Sequence, residues 1–600
     1  MRRDKYIALV LFAGLMIYLL LRAMYVPMLH DSIATFFRYV HIHQVFPYYS
    51  EWSANNHFLN SLLMLGSYEL FGSSPFALKL PNVIFFPVYF FFAWKISGKI
   101  SNPFLKWGFL ISMLFAHNFF EFFGTGRGYG MSMGLVIAGV WFVMLAHDTH
   151  KTKHYFLALI LLSLATYANL TIMNSFILLV GELMLILLFQ KQSSKVSKSA
   201  IIILFGIIPI ILMILLLFKI QAEGELYYGK PDGFIQVSVA TLSRLLTGSD
   251  SPVFVYLALL LFLISAGAFI FVQIKKLPKK QYKNLFEPQW FFLCLLTGNI
   301  IAYYLEHKIF GTNYPEDRTG LFLYPWLVGS VFFSLDAIKF KKPYLNLIPA
   351  LPFLFFPIHF ITHMNLSWSS MENQAIPERF HITVAEDQGK SEYPLIVQGY
   401  QGRLMRWLYM NFRNETPLSR IFFEDYPSMN GDYQIVNLSE YPEWRTAYDS
   451  IDGDQRTGFA LLKRKNQLSR IPVFSKDDIQ KNEPQASAFF ELYRGPIDSL
   501  AGKALYIDFN LNLSSEKSPF HGRIVADVQD DQNNSLLYEF TQFDWYRTDW
   551  SDPEKSFLNA LYLPELPEKA QNIVIYIWNI DKKPFLLPNG HFDILYLRKG

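Results

Sequence analysis

Long apolar runs recur along this chain up to about residue 364, and they constrain its fold more than any other feature. A helix needs about 20 apolar residues to cross the hydrocarbon core of a bilayer. Inside lipid every backbone polar group must be satisfied within the protein, so such runs predict helices. We expect eleven spans, at about residues 6–26, 79–97, 104–121, 129–147, 154–168, 170–189, 200–219, 253–273, 289–306, 319–336 and 344–363.

The composition supports a membrane-embedded protein. Apolar residues make up 52% of the 600 residues, charged residues only 17%, and the mean hydropathy is positive. A net charge of +4 is too small in a chain of this size to suggest nucleic-acid binding. The single cysteine, Cys294, excludes a disulfide within the chain and a cysteine metal cluster. A chain this long is expected to form two or three domains.

The amino-terminal segment has the features of a targeting sequence. Arg2, Arg3 and Lys5 precede the first apolar run, as in a signal peptide, but no small-x-small cleavage site precedes Asp31. We therefore expect an uncleaved signal anchor.

The basic residues predict how the chain is oriented, because cytoplasmic loops collect Lys and Arg. With eleven spans, every connection on one face is basic, whereas the opposite face receives 27–78, 122–128, 220–252, 307–318 and all residues after about 364. The expected protein is multi-pass, in the inner or plasma membrane of a bacterium, with its carboxyl-terminal region outside the cytoplasm. The basic residues counted are Arg2, Arg3, Lys5, Lys95, Lys99, Lys106, Lys151, Lys153, Lys191, Lys195, Lys198, Lys275, Lys276, Lys279, Lys280, Lys283, Lys339, Lys341 and Lys342.

This orientation requires that the apolar segment Phe58 to Phe71 is not a span. We interpret it as an interfacial helix in the first outer loop, apolar on one face and marked by Asn60, Ser61 and Glu69 on the other. A twelve-span alternative would place the later lysine clusters outside.

The sequence becomes water-soluble in character after about Ser367, with frequent charges, Pro, Asn and Gly. The predicted fold is a polytopic α-helical membrane region, residues 1–366, followed by two extracytoplasmic domains. Residues 367–465 mix an amphipathic helix (402–412) with short strands and predict a small α/β domain. Residues 466–600 alternate in short runs separated by turns, which is typical of an antiparallel β-sandwich.

The loop from Pro27 to Pro81 is long for a connection between neighbouring spans, and such loops are uncommon without a function. Asp31 lies where the chain is expected to leave the bilayer, which would place a carboxylate at the lip of a membrane cavity. A solvated acidic residue at a span end is the simpler reading. The same loop carries His30, His41, His43, Glu51, Asn55, Asn56, His57 and Asn60, side chains that form hydrogen bonds or bind metals.

Two further clusters fall on the same predicted face. Glu121 precedes the glycine-rich run 124–130, which contains Arg127; its backbone can approach an anion, and an arginine suits a phosphate. It lacks the Gly-Lys-Ser/Thr ending of a nucleotide-binding loop, and the alternative is a tight turn with a snorkelling arginine. The other cluster is Glu306-His307-Lys308 together with 314–318, which includes Asp317 and Arg318. Charges at the start of a span mark a functional site by default, and an Asp317 to Arg318 ion pair is the alternative.

At these places the chain resembles the GT-C superfamily of polyprenyl-phosphate-sugar-dependent glycosyltransferases, in the branch of protein O-mannosyltransferases and the lipid A aminoarabinose transferase. The resemblance covers roughly the first 365 residues. The matching residues are Asp31, Asn56-His57-Phe58-Leu59, Glu69-Leu70-Phe71-Gly72, Ala77-Leu78-Lys79-Leu80-Pro81, Arg127-Gly128-Tyr129, and the Arg318 segment that ends in Tyr324-Pro325.

The chain also departs from the pattern of that family. The protein mannosyltransferases carry Asp-Glu where Asp31 is followed by Ser32, a Pro where Phe58 stands, and a Tyr where Thr319 stands. These differences concern the donor and the acceptor more than the class of reaction.

The resemblance implies transfer of a sugar from a polyprenyl-phosphate donor to a hydroxyl of a glycan, lipid or protein, with inversion at the anomeric carbon. Asp31 would be the base, and Arg127, Arg318 and Lys308 would hold the lipid phosphate. Glu121, His57, Asn56, Asp317 and His30 would orient the acceptor, or His57 and Glu121 would bind a divalent metal ion. No nucleotide is expected. On pattern alone the sandwich is similar to a carbohydrate-binding type and would position the acceptor.

Three other functions remain open from the sequence. A transporter or flippase of lipid-linked sugars would also need charges at the membrane, but near its middle rather than at span ends. An O-antigen-ligase-like protein would use a similar donor on a different fold. A scaffold whose active unit is the outer region would not depend on Asp31.

Overall fold

The computed structural model describes residues 2–46, 52–189, 195–276, 287–338, 343–368, 376–399, 401–416, 418, 422–423, 429–438, 442–516, 520–547 and 549–598. By its internal contacts the chain divides into two compact units. The first is Met1–Pro27 with His43–Ser370, and the second is Met28–Ile42 with Met371–Gly600. The predicted domain boundaries stay predictions, but the short segment that carries Asp31 groups with the carboxyl-terminal part of the chain.

The α-helices, in chain order, are α1 (Arg2–Tyr25), α2 (His30–Thr35), α3 (Phe58–Phe71), α4 (Pro75–Val83), α5 (Phe85–Ser97), α6 (Pro103–Leu114), α7 (His117–Phe120), α8 (Tyr129–Thr149), α9 (Thr152–Ala168), α10 (Met173–Phe189), α11 (Lys195–Ile202), α12 (Ile208–Ala222), α13 (Ala240–Thr247), α14 (Pro252–Lys276), α15 (Phe291–Phe310), α16 (Leu323–Ala337), α17 (Phe355–His363), α18 (Glu378–Gln388) and α19 (Gln401–Asn414).

The strands are β1 (Val397–Gly399), β2 (Phe422–Phe423), β3 (Tyr433–Asn437), β4 (Tyr448–Gly453), β5 (Phe459–Arg464), β6 (Ser469–Lys476), β7 (Lys481–Gln485), β8 (Phe489–Pro496), β9 (Leu505–Ser514), β10 (Gly522–Gln529), β11 (Ser535–Gln542), β12 (Phe557–Leu563), β13 (Asn572–Asn579) and β14 (Phe585–Arg598).

Each of the eleven predicted spans coincides with helical structure in the first unit. Within the described residues, seven helical segments are long and apolar enough to cross a membrane, and Pro103–Leu114 and Ile348–His363 are shorter apolar helices. The protein is therefore a multi-pass membrane protein with a β-rich soluble part. The seven segments are Arg3–Tyr25, Pro75–Ser97, Tyr129–Thr149, Leu170–Phe189, Lys195–Ala222, Pro252–Lys275 and Asp317–Ala337.

Local sequence explains where several of these helices begin. Helix α4 begins with Pro75, and the Ser74 hydroxyl accepts a hydrogen bond from the Ala77 amide. Helix α6 begins with Pro103, and Asn102 accepts from the amide of Phe104. Proline suits the first helical position, and a Ser or Asn before it satisfies a free amide.

The segment predicted as an interfacial helix forms α3, but two of its three polar markers point inward. Asn60 and Ser61 are fully buried, whereas Leu70 and Phe71 near the end of the helix are 76% and 62% exposed. Asn60 donates to the Gly126 carbonyl oxygen at 3.3 Å and Ser61 to the Asn56 side-chain oxygen at 2.8 Å. Glu69 is exposed, as predicted, and bonds to His43.

The second unit contains a five-stranded mixed sheet in the order β2-β1-β3-β5-β4. Strands β1, β2 and β3 are parallel, and β3, β5 and β4 are antiparallel. Helices α18 and α19 supply Phe380 and Trp407 to the core of this sheet, where they pack with Ile435 and Leu461. This agrees with the predicted α/β fold of residues 367–465.

Two antiparallel sheets follow, in the orders β11-β10-β13-β8 and β12-β9-β14-β6, with β7 pairing with β14. Ile524 on β10 and Ile577 on β13 face each other in the core, and Arg523 and Trp578 lie on the opposite face of the same strands. The predicted antiparallel β-sandwich is therefore observed within residues 466–600.

The segment Met28–Ile42 packs within the second unit through aromatic rings. Phe36 lies 5.5 Å from Phe412 between ring centroids, and Phe37 lies 5.6 Å from Phe412 and 6.5 Å from Trp545. Phe36 and Phe37 are buried. Because these rings lie directly after α2, they anchor the helix that carries Asp31.

Some residues used in the sequence argument lie outside the described residues. These are Lys191, Lys279, Lys280, Lys283, Lys339, Lys341 and Lys342 of the orientation argument, and Glu51 of the first outer loop.

Candidate functional site

A cavity of about 410 Å³ lies within the first unit. It is lined by segments far apart in the sequence: the start of α3, the start of α8, the link between α9 and α10, the end of α12, the end of α15, and the turn before α16. Its polar lining residues are His57, Tyr129, Asn169, Thr171, Asn174, Gln221, Glu225, Tyr228, Tyr303, Glu306, Thr312, Asn313 and Thr319.

His57 lines this cavity immediately before α3. Its Nδ1–H donates to the Ala168 carbonyl oxygen at 2.7 Å, so in the neutral ring Nε2 is the acceptor nitrogen. The ring meets Tyr129 edge to face with centroids 4.9 Å apart. His57 is 5% exposed. A buried histidine with a fixed tautomer can orient a hydroxyl group.

Arg127 lies next to Tyr129, and its guanidinium carbon is 5.8 Å from the centre of that ring. The same guanidinium donates to the Asn55 side-chain oxygen. Arg127 is buried, so it is held in place by these contacts and does not snorkel toward water. This position beside a cavity-lining ring is consistent with the phosphate-binding role that the sequence predicts.

The glycines around Arg127 are required by close packing. A Cβ atom at Gly128 would lie 1.9 Å from the Ala168 carbonyl oxygen, and one at Gly130 would lie 2.7 Å from backbone atoms of residues 122 and 123. Asn82 holds the same loop by donating to the Thr125 carbonyl at 3.1 Å and accepting from the Met131 amide at 2.8 Å. The glycine-rich run is therefore a packed turn.

Arg318 binds a second ring of the cavity. Its guanidinium lies over Tyr228 at 4.9 Å from the ring centre and donates to the Tyr228 hydroxyl at 3.1 Å. Burial raises the pKa of the Tyr228 hydroxyl to about 12, against the opposing effect of Arg318. The hydroxyl therefore keeps its proton at neutral pH, and because it accepts from Arg318 it can donate to another group.

Asp317 does not pair with Arg318. Its amide donates to the Thr241 hydroxyl at 2.7 Å, and its carboxylate lies 3.4 Å from Arg244 on α13. Thr241 and Arg244 thereby fix the turn that presents Arg318. Lys308 is exposed, and its ammonium lies 5.7 Å from the centre of the Tyr304 ring.

Glu306 is a cavity-lining carboxylate that the site prediction left out. Its carboxylate accepts from the Asn174 amide at 3.2 Å. The signal was present in the sequence, because Glu306 belongs to the predicted charged cluster at the end of a span. Asn174 has no such signal, since it lies within a predicted span and its partner is 132 residues away.

Glu121 lies in a buried ion pair. Its carboxylate accepts from Arg22 on α1 at 2.9 Å, and the two side chains are 5% and 3% exposed. Arg22 also donates to the carbonyl oxygens of Asn365 and Trp368 at 2.9 and 3.0 Å. Sequence reasoning missed this pairing, since Arg22 looks like the basic end of the first span.

Lys79 is a further buried cation that the site prediction did not include. It is 2% exposed, and its ammonium donates to the backbone carbonyls of Ala23 and Val26. These are carbonyls at the carboxyl end of α1, where a cation is favoured. Lys79 therefore fixes the end of α1, a few residues before Asp31.

The remaining predicted residues lie at the start of α2 and in the segment just before α3. Asp31 is half-buried in the first turn of α2, where its backbone carbonyl accepts from the Thr35 hydroxyl at 3.0 Å, and His30 begins that helix. Asn56 accepts from the Ser61 hydroxyl at 2.8 Å. Asp31 and His30 belong to the second unit, and the arginines belong to the first. Their predicted convergence stays a prediction.

The predicted metal ligands do not form a ligand set. Within the described residues, no group of three or more His, Cys, Asp or Glu side chains is arranged to hold a metal ion. The Glu121 carboxylate already faces a guanidinium at 2.9 Å.

A second cavity in the first unit, of about 570 Å³, is almost wholly apolar. It is lined mainly by α13, α14, α16 and the segment 351–356, including Leu246, Phe254, Leu323 and Phe353. Helix α13 connects the two regions, since Leu242 lines this cavity and Arg244 binds Asp317.

Comparisons with known proteins give only structural similarities. No family model matches the chain, and no curated protein matches it. The fold is similar to ArnT from Cupriavidus metallidurans in the apo state, with a TM-score of 0.43 and 10% identity over 77% of this chain and 98% of that chain. The same protein bound to undecaprenyl phosphate gives 0.41 and 11% over 76% and 97%. The arabinosyltransferase EmbB from Mycobacterium smegmatis gives 0.36 and 10% over 98% and 64%.

Proposed function

We propose that this protein is an inverting glycosyltransferase that moves a sugar from a polyprenyl-phosphate donor to an acceptor hydroxyl at the outer face of the membrane. The observation that supports it best is the 410 Å³ cavity, because the predicted His57, Arg127 and Arg318 motifs all reach it. His57 lines it directly, and the two arginines lie against its rings, Tyr129 and Tyr228.

The cavity supplies the groups that the donor end of the reaction needs. A sugar on polyprenyl phosphate is already activated, so the enzyme must stabilise the charge that develops on the departing phosphate. In this proposal Arg127 and Arg318 hold the phosphate, and the Tyr228 hydroxyl donates to it or to the sugar. Lys308, which stacks on Tyr304 away from the cavity lining, is given no contact with the donor. Cation stacking on a ring keeps each guanidinium in place before the donor binds.

The neighbouring apolar cavity suits the polyprenyl chain. Isoprenoid units have no hydrogen-bonding groups, and the lining of this cavity has almost none either. Helix α13 lines this cavity and also fixes Asp317, next to Arg318. The polyprenyl chain of a lipid whose phosphate binds Arg318 would therefore extend into the apolar cavity.

Asp31 is the proposed base. Its carboxylate takes the proton from the acceptor hydroxyl while the hydroxyl oxygen forms a bond to the anomeric carbon. The bond from that carbon to the phosphate oxygen breaks, and the lipid phosphate leaves with the electron pair. A single displacement of this kind inverts the anomeric carbon. His57, Asn56, His30, Asp317 and Glu121 are the candidates for orienting the acceptor hydroxyl, which belongs to a glycan, a lipid or a protein.

The test is sugar transfer in membranes from a radiolabelled polyprenyl-phosphate donor. We expect Asp31→Asn to lower the rate by roughly 10²–10⁴-fold, as for loss of a general base. Asp250→Asn, a change at an 86% exposed carboxylate, is the matched control and should transfer normally. Normal transfer by Asp31→Asn would exclude this mechanism, and transport of the intact donor by both variants would favour a flippase.

A further inference from the structure

The outer face of the four-stranded sheet carries a row of side chains in register across three strands. Arg523 on β10 is opposite Trp578 on β13, and Trp578 is opposite Phe489 on β8. Neighbouring strands are about 4.8 Å apart, so the row extends about 10 Å across the sheet. The alternate residues of these strands, such as Ile524 and Ile577, face the core.

Together with Phe540 and Tyr538 on β11, the side chains of this row form a platform of aromatic rings. The Arg523 guanidinium lies 4.3 Å from the centre of the Phe540 ring and 5.1 Å from that of Trp578. Phe489 stacks beside Trp578, with centroids 6.0 Å apart and planes 23° from parallel. Tyr538 extends the platform on β11, 6.2 Å from Phe540. Arg523 thus lies between the Phe540 and Trp578 rings and contacts both.

This platform is exposed at its two ends and half-buried at Trp578 and Phe540, where the outer face of a sandwich is normally polar. Phe489 is 60% exposed and Tyr538 is 40% exposed. Exposed clusters of this kind mark binding surfaces. The hydrophobic side chains that are exposed in the row are aromatic.

The charges on the same face balance each other. Arg494 pairs with Glu491 at 3.0 Å, and β10 contributes one cation, Arg523, and one carboxylate, Asp527, to the same face. Asp527 accepts hydrogen bonds from Gln529 and Ser535. A face with no net charge and many donors and acceptors complements a neutral polyhydroxylated ligand better than an anionic membrane or a strongly charged protein.

We propose that this face binds a neutral glycan chain. The C–H faces of successive sugar rings would pack on Trp578 and Phe489, and sugar hydroxyls would bond to Arg523, Glu491 and Tyr538. The further statement that this glycan is the acceptor of sugar transfer rests on the proposed function. Binding itself does not depend on it.

The test uses the full chain in lipid nanodiscs, titrated with maltohexaose, mannohexaose and chitohexaose while tryptophan fluorescence and saturation-transfer NMR are recorded. At least one hexasaccharide should bind, and Trp578→Ala and Phe489→Ala should each weaken binding by up to about tenfold, the scale of one ring contact. Tyr596→Ala removes a half-buried ring from the other sheet and is the matched control. It should bind as the unchanged protein does.

Three results would overturn this inference: no binding of any of the three probes, unchanged binding by Trp578→Ala, or equal weakening by Tyr596→Ala. Self-association that Trp578→Ala abolishes in sedimentation would instead make the face a contact between two copies of the chain. Asp31→Asn should bind the glycan normally while it loses transfer. Glycan binding by an unchanged protein that shows no sugar transfer would refute the proposed function and leave this inference intact.

Discussion

Single residues in the helical unit show how one buried charge can serve structure and a predicted site at once. Glu121 was predicted to orient the acceptor or bind a metal, and it forms a nearly fully buried pair with Arg22. Breaking a buried pair leaves an uncompensated charge, which costs far more than the pair contributes. The stability of the protein therefore depends on Glu121 whether or not it takes part in transfer.

We expect Glu121→Gln to destabilise the protein by about 3–5 kcal/mol, because Arg22 keeps its charge and loses its partner. Thermal unfolding in nanodiscs measures this loss. The double change Arg22→Met with Glu121→Leu should recover most of it. Lys219→Gln, which breaks an exposed pair with Glu223, is the control and should have almost no effect. An unchanged melting temperature for Glu121→Gln would contradict the structural role.

At the level of elements, the glycine-rich turn before α8 is the clearest case of a motif explained by packing. Gly128 leaves no room for a Cβ atom against the Ala168 carbonyl, and His57 Nδ1 is the next nearest group at 3.0 Å. A side chain there would separate α8 from the end of α9 and displace His57. The glycine therefore positions the cavity wall.

We expect Gly128→Ala to abolish transfer and to lower the yield of folded protein, since the obstructing atom belongs to the backbone. Gly66→Ala is the control, because nothing lies within 4 Å of a Cβ at that position in α3. It should stabilise the helix by about 0.5–1 kcal/mol. Size-exclusion profiles and transfer rates check both, and an active Gly128→Ala protein would show that the turn can open.

The elements themselves follow from the sequence better than the site does. Apolar length predicts the spans, and alternation predicts β9, β10, β11 and β13, because both patterns are local. The Arg22–Glu121 pair, 99 residues apart, and the Asn174–Glu306 pair leave no local pattern. The inward orientation of Asn60 and Ser61 on α3 was also missed, because polar residues recur with the same helical spacing whether they face water or protein. Phe36 and Phe37, which follow Asp31, likewise carry no local signal that they pack within the second unit.

The five-stranded sheet of the sandwich should lose stability as pH rises. Burial and the facing carboxylate of Asp593 raise the pKa of Asp508 to about 7, with His591 and Arg470 opposing. The pKa of His591 is raised by its bonds to Asp593 and Asp477, which outweigh burial. Both groups bind protons more tightly when folded. The stabilisation from Asp508 therefore falls as the pH rises from about 4 to 7, and that from His591 is lost as the pH rises through its own raised pKa.

Hydrogen exchange of β9 and β14 in the full chain checks this, after correction for the intrinsic rate. Protection should fall between pH 5.5 and 8, and Asp508→Asn should remove most of that dependence and raise protection at pH 8. Asp531→Asn, in the exposed turn between β10 and β11, should change neither. Protection that rises with pH would contradict the assignment.

For the whole molecule, the basic loops predict the orientation of the chain across the membrane. In a background with Cys294→Ser, we expect Lys569→Cys to react with a membrane-impermeant maleimide in intact cells. Lys151→Cys should react only after the cells are permeabilised. Both positions are exposed, so accessibility within the protein does not decide the result. The reverse pattern would put the second unit in the cytoplasm.

The proposed mechanism requires that a lipid phosphate binds beside Tyr129 and Tyr228. The affinity of the protein for such a lipid tests this most directly. We expect Arg318→Gln to weaken binding of undecaprenyl phosphate to the full chain in nanodiscs by roughly 10²-fold, the scale for one charged donor to an oxyanion. Asp31→Asn should bind that lipid normally and fail only in transfer. Unchanged affinity in Arg318→Gln, or transfer by Asp31→Asn at the normal rate, would contradict the proposed mechanism.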